Sequence, residues 1–423
     1  MSDRITKVIK NPYVFSVISK FCIVLLGFAY TVCQSRYLGA TLKGDVSYIS
    51  SITSITSIIF GCGVHQAYPY YKKKTSQDVA PIFMKLSIAM LAIYFAIAIA
   101  LTILLRSDIS LGTVFLLTPF LVYTKIIAYI SMVENPNKKN LTEILASFVE
   151  ILVIIALWVL IPQTLFIGIL IFISKDILLA VVYTYRLRKP LFAPVKLTIT
   201  QVIEILSFGF FPMMVLLMTT LNYRVDIIML KHSVTSAEVG IYSIGVMLAE
   251  RVWMIPDALK EVMISNLAKG KGVDEVSFVI RICNTACIIV VLGIIALGQP
   301  FINLFFGIEY SAAYSVTVVI LIGVIFMVYY KMIAAYNIVQ GKQKENFFYL
   351  VISVIGNIVA NAVLIPFYGD IGASFASIFS YAISAFLFTH RFIRDTGTKM
   401  SDMLIINKGD VARLKSQFGS RTK

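Results

Sequence analysis

Ten ionisable side chains interrupt long apolar stretches of this 423-residue chain: Lys20, Lys125, Glu150, Lys175, Asp176, Arg224, Asp226, Glu250, Arg251 and Lys331. In a stretch that crosses a bilayer, each costs on the order of 2.5–3.5 kcal/mol near the centre, so such groups face a wet interior or one another. The cations outnumber the carboxylates, which suits an anionic ligand, and an arginine can engage a phosphate through two parallel hydrogen bonds. Asp226, Glu250, Glu150 and Asp176 suit either a coupling cation, H+ or Na+, or the task of holding the basic residues in place. Each group also has a plainer role. Lys20 and Lys125 are near enough to a headgroup layer for their stems to extend into it, and Arg224 and Lys331 share that reading. Arg251 stands about three turns from either end of its stretch, so its plainer role is an ion pair with Glu150 or Asp176. Lys175 and Asp176 project about 100° apart and are open to partners on different helices.

The elements that must position these groups follow from composition. The chain is 59% hydrophobic and only 14% charged, with a mean hydropathy of +0.87, and apolar runs of about 18–25 residues recur from end to end. This predicts an all-α polytopic membrane protein, with spans near 13–33, 46–70, 81–105, 110–133, 141–161 and 165–185, then near 203–230, 239–267, 277–298, 312–340, 347–367 and 371–393. The basic stretch "RLRKPLFAPVKLTITQ" separates the two sets of six. The expected organisation is an N-terminal six-helix lobe (1–188), a linker (189–202), a C-terminal six-helix lobe (203–393) and a basic tail (394–423), with the buried charges lining a central cavity.

The net charge of +15 is a matter of topology. Arg4, Lys7 and Lys10; Lys72, Lys73 and Lys74; Lys138 and Lys139; Arg186, Arg188, Lys189 and Lys196; Lys269 and Lys271; Lys342 and Lys344; and the tail fall on one side. The other side holds little more than Arg36, Lys43, Arg106 and Lys231. That asymmetry places both termini in the cytoplasm and argues against a nucleic-acid partner. The first span follows a charged start without a small-residue cleavage site and reads as a retained helix. The five cysteines form no C-x-x-C pair and have no His-rich neighbours, so neither a metal nor another cofactor is expected of them.

Helical spacing arranges the polar residues in lines. Tyr13, Ser16, Lys20, Gly27, Tyr30 and Gln34 share one side of the first span, and Thr219, Asn222 and Asp226 share one side of the seventh, beyond Pro212. Ser353, Asn357 and Asn361 form an i, i+4, i+8 line on the eleventh, turned inward either to bond neighbouring helices or to line the cavity. Ser374, Ser377, Tyr381 and Ser384 face it from the twelfth. Gly44 before Tyr48 and Gly240 before Tyr242 suggest that one lobe repeats the other. His65 reads as an interface residue, and Asp257, Lys260 and Glu261 as a solvated face. The tail, with Met403, Leu404, Ile405 and Ile406 among cations, either lies along the inner membrane surface or is disordered.

Several stretches carry a resemblance: "NIVANAVLIPFYGDIGASFASIFSYAISAF", "FGIEYSAAY", "NIVQGKQKEN", the text from 208 to 269, and "SRYLGATLKGDVSYI". Together they resemble polysaccharide/O-antigen flippases of the multidrug/oligosaccharidyl-lipid/polysaccharide exporter superfamily. The resemblance implies a non-enzymatic carrier that moves undecaprenyl-pyrophosphate-linked oligosaccharide from the inner to the outer leaflet of the cytoplasmic membrane. It also implies alternating access coupled to a proton or sodium gradient, with a polysaccharide polymerase and glycosyltransferases as partners. Lys20 and Arg251 then take the pyrophosphate, with Lys125, Lys175, Arg224 and Lys331 as further candidates, and Gln34, Asn222, Asn357 and Asn361 as polar cavity residues. Two other classes stay open: a drug exporter of the same superfamily, which would favour an anionic or apolar cavity, and a membrane glycosyltransferase or polymerase, which would need a larger outer loop. A peptidoglycan-precursor flippase usually carries two further helices.

Overall fold

Every regular element among the described residues, 12–75, 78–104 and 109–419 of this computed structural model, is a helix. Arg4, Lys7, Lys10 and Arg106 lie outside the described residues, as do the side chains of Tyr13 and Ser16. The helices are α1 (Pro12–Gly61), α2 (Val64–Lys74), α3 (Ala80–Leu104), α4 (Ile109–Glu134), α5 (Pro136–Leu160), α6 (Leu165–Arg186), the short α7 (Arg188–Phe192), and α8 (Ile199–Leu230). There follow α9 (Ser236–Arg251), α10 (Met254–Ala268), α11 (Asp274–Phe305), α12 (Ala313–Ile322), α13 (Val324–Val339), α14 (Gln343–Thr396) and α15 (Lys408–Gly419). Local chemistry marks several starts: Asn135 caps α5 ahead of Pro136, Thr164 caps α6, and Thr235 and Glu238 cap α9 reciprocally.

Nine helices among the described residues are long and apolar enough to cross a membrane, and α12 with α13, bent by 50°, makes a tenth. Two of the nine are too long for one crossing. The 54 residues of α14 would run about 81 Å if straight, against a hydrocarbon core of about 30 Å. Instead α14 folds back at Gly369 (φ 53, ψ −129), and α1 folds back at Gly39 (φ 69, ψ 170), conformations that only glycine adopts without strain. Across the first turn Lys43 Nζ reaches Gln34 Oε1 at 2.6 Å. Across the second, a Cβ on Gly372 would lie 2.4 Å from the Leu364 carbonyl oxygen. With each folded helix counted as two crossings, the described residues make twelve, six before α7 and six from α8 onward.

The structure also breaks spans that hydropathy reads as continuous. Between α1 and α2 the backbone passes through positive φ at Cys62 and Gly63. Further breaks fall between Arg251 and Met254 and at Gly323. The first break receives α8, because a Cβ on Gly63 would meet the Gly209 carbonyl oxygen at 2.0 Å.

Contacts divide the chain into two units, Met1–Thr220 and Leu221–Lys423, with the boundary inside α8. In the first unit Tyr68, Phe83, Met84, Ile126, Ile127 and Tyr183 are fully buried at the core of α2 to α6. In the second, Tyr242, Phe306, Tyr310, Met327, Met332 and Phe388 are buried equally. Val159, Leu160, Leu304 and Phe367 stand exposed on the outside, as expected of surfaces covered by lipid.

The described part of the tail is docked on the second unit. Arg281 Nε and Nη2 donate to both Asp410 oxygens at 2.6 and 2.5 Å, Asn284 donates to the Met403 and Leu404 carbonyls at 3.1 and 3.0 Å, and Met403 is fully buried.

Candidate functional site

In the first unit the polar line of α1 continues across its turn. Gln34 is buried, donates to Tyr30 Oη at 2.9 Å and accepts from Lys43 at 2.6 Å. Glu150 on α5 and Asp176 on α6 act electrostatically on Tyr30, and Lys175 acts on both carboxylates. Lys125 on α4 lies in the field of Asp176 and donates to Ser57 Oγ at 2.6 Å. His65 feels Lys125 and meets the Tyr129 ring edge-on at 5.4 Å. Five candidates, Gln34, Lys125, Glu150, Lys175 and Asp176, thus belong to one charged neighbourhood formed by α1, α4, α5 and α6. Lys20 stands exposed farther along the first arm of α1.

In the second unit the carboxylate of Asp226 is the centre of a donor ring. Only 3% exposed, it accepts from Tyr242 Oη at 2.5 Å and Ser377 Oγ at 3.3 Å through one oxygen, and from the Ile227 amide at 2.8 Å through the other. These donors come from three spans, so the carboxylate ties α8, α9 and the second arm of α14 together. One turn earlier, Asn222 Oδ1 accepts from Ser380 Oγ. Ser353 Oγ donates to the Ser380 carbonyl at 2.8 Å and accepts from Ser384 Oγ at 2.7 Å. Asn357 Nδ2 donates to the Ala376 carbonyl at 3.4 Å, and Asn361 Nδ2 to Asn357 Oδ1 at 2.9 Å. Ser353, Asn357 and Asn361 are all fully buried, so the eleventh-span line joins the two arms of α14. A polar atom remains over: Asn361 Oδ1 is buried with no hydrogen-bond partner.

The cations of the second unit differ in how they are satisfied. Arg224 Nη2 donates to Glu250 Oε2 at 3.3 Å. Lys331 donates to Asp257 at 2.7 Å and lies 5.0 Å from the centre of the Trp253 ring. Asp257 also accepts from Lys260 at 2.9 Å, so the residue read from sequence as part of a solvated face is the counter-ion of a lysine inside the span. Arg251 is different. Its Nε is buried with no hydrogen-bond partner, and Glu250 Oε1 beside it is buried and unpartnered too. Arg251 is the last residue of α9, at the break before Met254. It lies near the middle of the span Ser236–Ala268, over 20 Å from either end at about 1.5 Å per residue.

Sequence reasoning missed Tyr242, Ser380, Lys43 and Asp257 as partners. Tyr242 and Lys43 sit at span ends, where aromatic and basic residues are expected as anchors. Ser380 stands beside a serine line already visible on the twelfth span, and Asp257 is 74 residues from its lysine.

A family model described as "Polysaccharide biosynthesis protein" matches residues 11–255. No curated protein matches the chain. Among solved structures, the lipid II flippase MurJ in an inward closed conformation is similar over 97% of this chain and 93% of its own, with a TM-score of 0.74 at 17% identity. An inward-facing multidrug resistance MATE family transporter of the MOP superfamily is similar over 91% of this chain and 99% of its own, with a TM-score of 0.67 at 13% identity. A MOP superfamily transporter from Pyrococcus furiosus, described as having a binding pocket of reverse polarity that suggests a different function, covers 90% of this chain and 95% of its own, with a TM-score of 0.60 at 13% identity. At such identities the likeness is one of fold.

Proposed function

We infer a cargo from a plain premise: the chain belongs to the polysaccharide biosynthesis protein family and has the flippase or transporter fold of the MOP superfamily. The structures it resembles are a flippase and transporters, not enzymes. On that premise we propose that it moves an undecaprenyl-pyrophosphate-linked oligosaccharide from the inner to the outer leaflet of the cytoplasmic membrane, both termini being cytoplasmic. A site that opens alternately to each leaflet would do this.

The observation that carries this reading is Arg251. A half-buried guanidinium near the middle of a membrane span, with its Nε buried and unpaired, has hydrogen-bonding capacity left for an anion. A pyrophosphate crossing a low-dielectric layer needs fixed positive charge along its way, and the forked geometry of arginine matches phosphate oxygens two at a time. Arg224 and Lys331 already have carboxylate partners, so in this reading they hold the shape of the second unit's site while Arg251 meets the headgroup there, and Lys20 is the candidate for it in the first unit. Lys125 and Lys175 extend the positive path in the first unit. Asp226, Glu250, Glu150 and Asp176 are the proposed carriers of the coupling H+ or Na+, and a polymerase would take the delivered units.

The test uses cells lacking their own flippase for a defined surface glycan and scores surface polymer at matched membrane expression. The unmodified chain is expected to restore polymer, and Arg251→Ala and Lys20→Ala to abolish it. Normal export by both variants would remove the headgroup assignment. Failure of the unmodified chain across several lipid-linked glycans, together with reduced accumulation of a cationic dye, would replace the reading with drug export.

A further inference from the structure

The stretch that follows Thr396 has two unlike sides. Its inner side is held by protein: Met403 is buried, Arg281 clamps Asp410, Tyr329 Oη donates to the Met403 carbonyl at 3.1 Å, and Arg413 pairs with Glu275 while lying 3.9 Å from the Phe278 ring centre. Its outer side carries Met400, Leu404, Ile405 and Val411, all exposed, interspersed with exposed Lys399, Lys408 and Lys415. Bare apolar side chains in that number call for a cover.

Two features say what the cover is. The stretch begins directly at the end of the last span, and Lys342 pairs with Asp395 at 2.6 Å at that same end. It then lies over residues 275–285 of α11 through the contacts of Glu275, Arg281, Asn284 and Thr285. The 32 residues of α11 make a helix about 48 Å long against a hydrocarbon core of about 30 Å, so roughly three turns of it stand outside that core. The beginning of α11, from Glu275 to Thr285, is the part that the tail covers. A segment held at this level, with apolar side chains between ammonium groups, has the chemistry of a headgroup-layer binder.

We propose that residues 399–415 form an interfacial strap: its inner side clips to α11, and its outer side seats Met400, Leu404, Ile405 and Val411 in the surface of an anionic bilayer, with Lys399, Lys408 and Lys415 on lipid phosphates. The strap fixes the level of the second unit in the membrane whatever cargo it carries.

The full chain carrying Leu404→Trp, reconstituted in nanodiscs of phosphatidylcholine alone or mixed with phosphatidylglycerol, tests this. Lipids brominated near the headgroup act as quenchers, and the unmodified chain supplies the background of Trp158 and Trp253. The expected result is blue-shifted, bromine-quenched emission in the mixed bilayer, falling several-fold in phosphatidylcholine alone and in the combined Lys399→Glu, Lys408→Glu, Lys415→Glu variant. Because Leu404→Trp could disturb the strap, hydrogen exchange across 399–415 in the unmodified chain is measured in the same discs and should slow in the anionic one. Water-like emission without quenching, with exchange equal in both lipids, overturns the proposal. So does protection that appears only when two copies share a disc, which would make the face a contact between chains.

Discussion

Lys331 donates to Asp257 and faces the Trp253 ring, so its charge is balanced by a carboxylate and an aromatic surface. Removing only the carboxylate, by Asp257→Asn, leaves a cation whose side chain is just 10% exposed. Breaking such a pair costs about 3–5 kcal/mol when fully buried, but Asp257 is 43% exposed, so the loss should lie nearer 1–3 kcal/mol. Thermal unfolding in detergent should show a lower midpoint for Asp257→Asn, with most of it regained when Lys331→Met is added; an unchanged midpoint in the single variant would make the pair ornamental. Arg251 calls for a different comparison. Arg251→Lys keeps the charge but loses the fork, so transport should fall by roughly tenfold, about the 1.5 kcal/mol of one charge-assisted hydrogen bond. Equal transport by lysine would mean that charge alone suffices. The ten ionisable residues were visible in the sequence because each stands out against apolar neighbours. Their partners were not, since Lys331 and Asp257 are brought together only by packing of α10 and α13, and Asp226 meets Ser377 across 151 positions.

The helices themselves were largely legible. Runs of apolar residues and the glycines at the α1 and α14 turns mark twelve crossings, because lipid leaves the backbone no alternative to the helix. The interruptions within spans were not: "LIGVIF" is as apolar as the helices it breaks, and the charges of "ERVWMIPD" mark polar positions without marking a break. The break before α2 makes a specific prediction. A Cβ on Gly209 would meet the Cys62 carbonyl oxygen at 2.5 Å and Gly63 C at 2.8 Å, backbone atoms that cannot swing aside. Gly209→Ala should therefore cost about 1–3 kcal/mol by overpacking, read as a lower unfolding midpoint; no loss would show that the two segments separate at little cost. The sequence reads the tail as either lying along the inner membrane surface or disordered; its docking on α11 was not legible, because the Arg281 clamp spans 129 positions. That clamp predicts a pH response. The hydrogen bond from Arg281 holds the Asp410 carboxyl below its ordinary value of 3.8, opposed by burial and aided by the Asn407 amide. A carboxylate depressed by docking contributes stability that is complete above its undocked value and is lost as pH falls through the docked one. The tail should stay protected from neutral pH down to about that ordinary value and release only below it, followed by the emission of Leu404→Trp. Release near neutral pH would assign the dock to some other group.

Across the whole molecule, composition and charge asymmetry point to one kind of work. Among the described residues of the spans, Arg224 and Lys331 are paired with carboxylates, Lys125 and Asp226 are hydrogen-bonded, and Arg251 has a buried Nε with capacity to spare. Family membership supplies polysaccharide biosynthesis, and the solved structures of like fold are a flippase and transporters. The proposed account joins them through the anionic linkage of the cargo, and it stands or falls on that linkage. The measurement that tests it most directly is translocation by the purified chain in liposomes carrying a fluorescent lipid-pyrophosphate oligosaccharide in both leaflets, with a membrane-impermeant reagent acting on glycan exposed outside. The account predicts that the protected inner pool becomes accessible with the unmodified chain, roughly tenfold or more slowly with Arg251→Ala, and not in empty liposomes. Accessibility no greater than in empty liposomes under any imposed H+ or Na+ gradient, or full activity of Arg251→Ala, would contradict it.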